Sequence, residues 1–314
     1  MPEPIGNRTR FVATKDLKEG ETVLDIPCQL AHTIFKIDDN IVKKRPAASV
    51  HCQLAIEVAE NLHNRKKRPW CFIDEFPQEL EQNHPLLWPE EIQGKLPRQS
   101  QDQLFALKES FEQDWFEHTG FFDQAGLKHI TKDKFLRAWI IVLTRKFALK
   151  GGKTKVSPQQ DRFALLPLAE IFNHATGGCR MKELNDRCQF ITTTSYKMHE
   201  EVCLCYGNEM TNDELLATYG FLSDNDPNDY VLLDPVIWDR LSKEALISKR
   251  DAEEWESYKL DRDSSLCPST ESLLPKLGIS TRDQKLKFLM DCKEAYAIND
   301  RISECPGQYL PVGS

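Results

Sequence analysis

The sequence predicts an α+β fold, in which small sheets of short strands are split by a helical insert and followed by a helical C-terminal segment. Three observations predict it. Short strand-like runs bounded by turns lie near both ends of the first 220 or so residues, apolar residues recur at helical spacing between them, and helical spacing returns after about residue 235. The 314 residues exceed one average domain. The predicted division is a mixed domain over 1–234, with an N-terminal portion over 1–40, an insert over 41–140 and a C-terminal portion over 141–234, then a helical segment over 235–314.

Each element has a local reason. Phe11–Thr14 is a short apolar run, Lys18–Glu21 is a Gly-containing turn, and Thr22–Pro27 is a second run stopped by proline, so the pair predicts a hairpin or the corner of a small sheet. Leu54, Val58 and Leu62 recur every four residues beside Ala55 and Ala59, which predicts an amphipathic helix. The basic run Arg65–Arg68 before Pro69 suits a helix C-terminus, where the dipole favours cations. Helical patterns resume near 101–118 and 131–149, the latter carrying Phe135, Leu136, Trp139, Ile140 and Leu143. Gly151–Thr154 resembles the end of a phosphate-binding loop, but Phe147 stands where that motif needs glycine, so a plain loop is predicted. Gln189–Thr194 and Glu201–Tyr206 have the composition of strands. Asn212–Tyr219 predicts a short helix, with Thr211 as N-cap and Glu214 completing a capping box. Leu286, Leu289, Met290 and Ala297 carry the helical pattern near the C-terminus.

Composition excludes several classes. Lys and Arg number 41 against 49 Asp and Glu, a net charge of −8 that disfavours a general nucleic-acid binder. A hydrophobic fraction of 40% is enough for a packed core. Mean hydropathy is −0.51, and no run approaches the roughly 18 apolar residues of a membrane helix. MPEPIGNRTRF lacks an apolar signal region, so the ten cysteines predict reduced thiols in the cytoplasm or nucleus. Cys179, Cys188, His199, Cys203 and Cys205 crowd together without a CxxC pair, and alternation of Cys203 and Cys205 suits packing on one strand face, so no metal site is predicted.

The chemistry concentrates in Leu165–His174, an apolar stretch closed by Asn173 and His174, which predicts buried polar groups in need of partners. Two Tyr-Gly pairs follow, Tyr206-Gly207 and Tyr219-Gly220. Taken singly, these pieces are compatible with ordinary loop capping and core packing. Taken jointly, Phe11–Thr14 with Gly20-Glu21 and Pro27, Thr144-Arg145, Glu170-x-x-Asn173-His174, Glu201-Val202 with Tyr206-Gly207, and Tyr219-Gly220-Phe221 resemble the SET-domain methyltransferases. With Pro85–Trp88, the pattern resembles the branch with an inserted helical subdomain, typified by the Rubisco large-subunit lysine methyltransferase, and the likeness spans roughly residues 5–240.

That resemblance implies S-adenosyl-L-methionine as cofactor and a protein lysine side chain as substrate, with neither nucleic acid nor membrane as a direct partner. The same branch includes a histidine methyltransferase, and a catalytically weak protein-binding module is a further alternative. The resemblance places Asn173 and His174 at the cofactor, Arg145 facing its carboxylate, Glu170 close by, and Phe221 against the adenine. It places Tyr206 at the methyl-transfer channel and Tyr219 in the substrate pocket. Where the family has Gly-x-Gly before the first strand, this chain has Arg8 and Arg10 with Thr9 between them, so Thr9 falls on the cofactor loop. Methyl transfer from a sulfonium is an in-line displacement, in which a protein mostly aligns the reactants. A narrow apolar channel favours the neutral amine that must attack.

Overall fold

The structure is a computed structural model, and it describes residues 2–5, 8–33, 48–64, 83–124, 126–149, 163–224, 227–233, 259–261, 271, 274–285 and 287–288. The chain forms two compact units. One comprises 1–87 with 105–208, and the other 88–104 with 209–314.

Among the described residues, the first unit combines short strands with three helices. Strand β1 (Pro2–Ile5) pairs antiparallel with β2 (Arg8–Phe11). Strand β3 (Thr22–Pro27) does not pair with the Phe11–Thr14 segment, so the predicted hairpin is not formed. Val12 and Leu17 instead bridge to Glu201 and Tyr196, and β3 lies antiparallel on the distant strand Arg187–Ile191. The turn explains the difference. Gly20, at φ 85°, donates its N–H to the Thr192 carbonyl at 2.9 Å, and the Thr192 hydroxyl donates to the Lys18 carbonyl at 2.7 Å. The turn is therefore anchored to residues far along the chain, and the strand it launches follows them.

The helical insert is built from α1 (Val50–Asn64), α2 (Arg98–Gln124, whose first residues fall in the second unit) and α3 (Lys132–Arg145). Thr131 caps α3 by accepting the Lys134 N–H. Phe111 and Phe122 of α2 stand 5.9 and 5.7 Å from Phe135, and Phe111 meets Trp139 edge-on. Helix α1 is buried on nearly every side, including Gln53, Glu57 and Asn61. Buried polar groups there find partners: Glu57 Oε2 lies 2.6 Å from His32 Nε2, tying the insert to the N-terminal strands, and Gln53 Nε2 donates to the Ala48 carbonyl. The helix predicted over 131–149 stops at Arg145, because Lys146 is extended and opens β4 (Lys146–Ala148), which pairs with β5 (Phe163–Leu165).

After β5 the chain makes a single 3-10 turn at Ala169–Ile171, then a long strand β6 (His174–Glu183) and β7 (Arg187–Ile191). The sheet order is β3-β7-β6. Strand β6 is not legible in the sequence, because it is rich in small and polar residues and has no clean alternation. Ile26, Leu166, Phe172, Cys188, Phe190, Val202 and Leu204 form the core beneath these strands.

In the second unit, α4 (Asn212–Tyr219) bears out the predicted capping box, with Thr211 accepting from the Glu214 N–H and Glu214 accepting from the Thr211 N–H. Gly220 ends the helix at φ 78°, a left-handed cap that suits glycine. Ser100 donates to the half-buried Asp213 carboxylate, and Gln99 donates to the Tyr230 hydroxyl at 3.0 Å. Strand β8 (Tyr230–Leu232) pairs with β9 (Lys259–Asp261), so one short strand lies in the stretch after 235. Arg65–Arg68, Gly151–Thr154, Leu286, Leu289, Met290 and Ala297 lie outside the described residues. Among those described, no helix is long and apolar enough to cross a membrane.

One stability effect follows from the turn at 197–200. His199 is exposed yet sits at φ 73°, and Glu200 N–H donates to the Lys197 carbonyl around it. His199→Gly removes the Cβ penalty there and is expected to raise stability by about 0.5–1 kcal/mol. A urea midpoint that falls instead would mean that the imidazole contributes more than the backbone strain costs.

Candidate active site

Phe172, Asn173 and His174 link the 3-10 turn to β6, and tertiary contacts give each a distinct environment. Phe172 is buried, with its ring 4.5 Å from Phe11 and 5.5 Å from Phe190. Asn173 is exposed rather than buried, a correction to the sequence reading, and His174 is half-buried. The partners expected of the pair are present. Asn173 Nδ2 donates to Glu201 Oε1 at 2.6 Å, and its carbonyl accepts the Leu204 N–H at 2.8 Å. The Tyr206 N–H donates to His174 Nδ1 at 3.2 Å. A backbone N–H can only donate, so this contact fixes Nδ1 as the unprotonated nitrogen.

Tyr206 is held from both ends. Its hydroxyl donates to the Phe172 carbonyl at 2.6 Å, and its ring lies 5.2 Å from the His174 imidazole. With the hydroxyl proton committed to Phe172, the phenol oxygen keeps a lone pair in a fixed direction.

A close chain crossing creates this arrangement. Residues 203–205 run against β6. Cys179 N–H donates to the Cys203 carbonyl at 2.7 Å, Cys205 N–H to the Cys179 carbonyl at 2.9 Å, and Leu204 bridges both His174 and Cys179. Gly178 sits at the crossing. A Cβ there would lie 2.7 Å from the Leu204 carbonyl carbon, 2.8 Å from the Cys203 oxygen and 2.9 Å from the Ala175 oxygen, all backbone atoms. The requirement is for space between main chains rather than for an unusual φ. Sequence reasoning misses Gly178; its one signal is a Gly-Gly pair inside a polar strand.

The other predicted residues are placed as follows. Thr9 is in β2, which packs beside the Ala169–Ile171 turn carrying the buried Glu170. Arg145 closes α3, donates to the Thr144 carbonyl at 3.2 Å, and is followed by β4, which pairs with β5 just upstream of that turn. Tyr219 and Phe221 belong to the second unit, with ring centroids 6.2 Å apart on either side of Gly220. Arg10 and Glu201 join the site without being predicted as site residues. Arg10 Nη1 lies 3.9 Å from Glu201 Oε2, so Arg10, Glu201 and Asn173 form a chain of polar contacts. Such a pairing between β2 and residue 201 leaves no local trace in sequence.

The cysteines around this region behave as packing groups. Cys179 and Cys188 are fully buried, and burial pushes their thiols up to about 11 and about 12 respectively. Burial, then the Glu201 carboxylate, pushes Cys203 up to about 12. His199 is exposed, away from any such packing.

No family model matches the chain. It is 24% identical over 240 residues to human SET domain-containing protein 4, covering 71% of this chain and 54% of that protein. It is 26% identical over 235 residues to the ribosomal lysine N-methyltransferase set11 of Schizosaccharomyces pombe, covering 72% of this chain and 57% of that one. The crystal structure of the SET domain of LSMT bound to lysine and AdoHcy superposes with a TM-score of 0.60 at 17% identity, over 94% of this chain and 75% of that one. The chain thus has the fold of the SET domain of LSMT. It spans a little over half the length of the curated relatives it matches.

Proposed function

We propose that the protein is an S-adenosyl-L-methionine-dependent methyltransferase acting on a lysine side chain of a protein. The observation that carries this reading is the fixed cluster of Asn173, His174 and Tyr206. It offers an exposed amide edge for a polar cofactor beside a phenol oxygen whose donor is already used. Support for lysine over histidine comes from set11, named a lysine methyltransferase, and from the LSMT structure that holds lysine with AdoHcy.

In the proposed step, the neutral amine attacks the sulfonium methyl. The new N–C bond would form as the C–S bond breaks, the cofactor's sulfur would keep the bonding pair as a neutral thioether, and the resulting ammonium would lose its proton to solvent. Tyr206 Oη, held by its bond to Phe172, would accept weak CH···O contacts from the methyl group that the cofactor supplies and so direct it. The partner is a protein that offers an exposed lysine, and the compartment is cytoplasm or nucleus, where buried thiols such as Cys52 and Cys188 stay reduced.

Titration calorimetry with S-adenosyl-L-methionine tests the reading. Asn173→Ala is expected to weaken binding by about 1–3 kcal/mol, the loss from leaving a polar partner unpaired in a formed complex. Because Asn173 is exposed, the melting temperature should hardly move. Unchanged affinity in the folded variant would remove Asn173 from the cofactor edge.

One observation favours a second reading, that of a protein-binding module with weak catalysis. Arg8 and Arg10 replace the family's glycines, and Arg10 is drawn to the same Glu201 that holds Asn173. Absence of cofactor binding by the unaltered chain would favour this reading.

A further inference from the structure

The helical insert holds a cluster that the methyl-transfer chemistry does not use. Cys52 lies near the start of α1, and Asp114 and His118 lie one turn apart on α2. Spacing of i and i+4 puts the latter two side by side on one helix face. One sulfur, one carboxylate oxygen and one ring nitrogen from these residues all lie within 4.8 Å of one another.

His118 supplies the second, independent observation. It is only 3% exposed, and among the described residues neither Nδ1 nor Nε2 has a hydrogen-bond partner. A buried imidazole with both nitrogens unsatisfied is costly and requires an explanation. The packing partly supplies one for its neighbours. The Cys52 thiol is hydrogen-bonded to the Asp114 carboxylate, and Trp139 Nε1 donates to Asp114 Oδ2 at 2.9 Å. That indole contact is the kind of outer contact that orients a metal-binding carboxylate.

The geometry points to a zinc site formed by Cys52 Sγ, an Asp114 carboxylate oxygen and a ring nitrogen of His118, clamping α1 to α2 inside the insert. Thiolate, imidazole and carboxylate are the donor types zinc takes, with bonds of about 2.0–2.3 Å in tetrahedral array. Those bonds set ligand separations of about 3.3–3.8 Å, so closure from the observed spacing asks for side-chain shifts of roughly an ångström. Three protein ligands leave the fourth position to a water molecule. On binding, the Cys52 S–H proton is released to solvent as the Zn–S bond forms. The cluster stands apart from Cys179, Cys188, Cys203 and Cys205, the thiols that crowd together in the sequence.

The test uses the 314-residue chain, stripped with EDTA and titrated with Co²⁺. Saturation at one equivalent is expected, with the intense visible bands of tetrahedral cobalt and a near-ultraviolet thiolate-to-cobalt band, and Zn²⁺ should bleach both. Cys52→Ala should abolish the thiolate band and weaken Co²⁺ binding by at least about 100-fold, beyond the effect of losing an outer-shell contact. Cys203→Ala should leave both unchanged. His118→Gln should likewise weaken binding, provided that circular dichroism shows it folded; if it does not fold, the small Cys52→Ala change decides. No cobalt uptake by the parent chain, or a thiolate band that survives Cys52→Ala, would overturn the proposal.

Discussion

Tyr206→Phe is expected to lower turnover on a lysine substrate by about 10²-fold, the range seen when one preorganised polar group aimed at a transition state is lost. The ring, its packing on His174 and the backbone contact from Tyr206 N–H to His174 all survive the change. Only the hydroxyl goes, and with it the 2.6 Å hydrogen bond to the Phe172 carbonyl. That bond is worth about 0.5–1.5 kcal/mol to stability, which is too little to unfold the domain. Its second role matters more. By donating to Phe172, the hydroxyl fixes where its oxygen points, and under the proposed function that oxygen is the group that would meet the methyl. Cofactor affinity by calorimetry should therefore stay close to that of the parent while single-turnover methyl transfer slows. Equal loss of affinity and rate would assign the hydroxyl to cofactor binding instead. Parental turnover would remove it from the reaction.

Gly178→Ala should be the most destabilising single-methyl change in the first unit, at about 3 kcal/mol or more. Overpacking ordinarily costs about 1–3 kcal/mol because neighbouring side chains yield. Here the three atoms that would meet the new Cβ, at 2.7 to 2.9 Å, are all main chain, so relief requires parting β6 from residues 203–204. That separation would break the Cys179–Cys203 and Leu204–Asn173 hydrogen bonds that seat the site. Adjacent Gly177 is the control. It is exposed with nothing within 4 Å of its Cβ position, so Gly177→Ala should be neutral or slightly stabilising. Comparable urea midpoints for the two variants would mean that the crossing is loose and that another feature holds Asn173 in place.

Sequence by itself determined the local elements. Leu54, Val58 and Leu62 marked α1, Phe135 and Trp139 marked α3, and Thr211 with Glu214 specified the start of α4, because helical periodicity and capping act over one or two turns. It also picked out Asn173, His174 and Tyr206 as the residues of interest, since their joint order along the chain matched a known pattern. Tertiary structure alone decided how they act. The bonds that set the site join residues 28 and 32 positions apart, Asn173 to Glu201 and Tyr206 to His174, and β3 found its partner in β7 rather than in the adjacent run. Asn173 proved exposed, Arg10 joined its polar chain, and Gly178 became indispensable only because residues 203–204 cross it. Pairing between strands separated by a helical insert leaves no period in the sequence. It depends on which distant backbone groups the packed core brings within hydrogen-bond reach, and that is settled only when the whole unit folds.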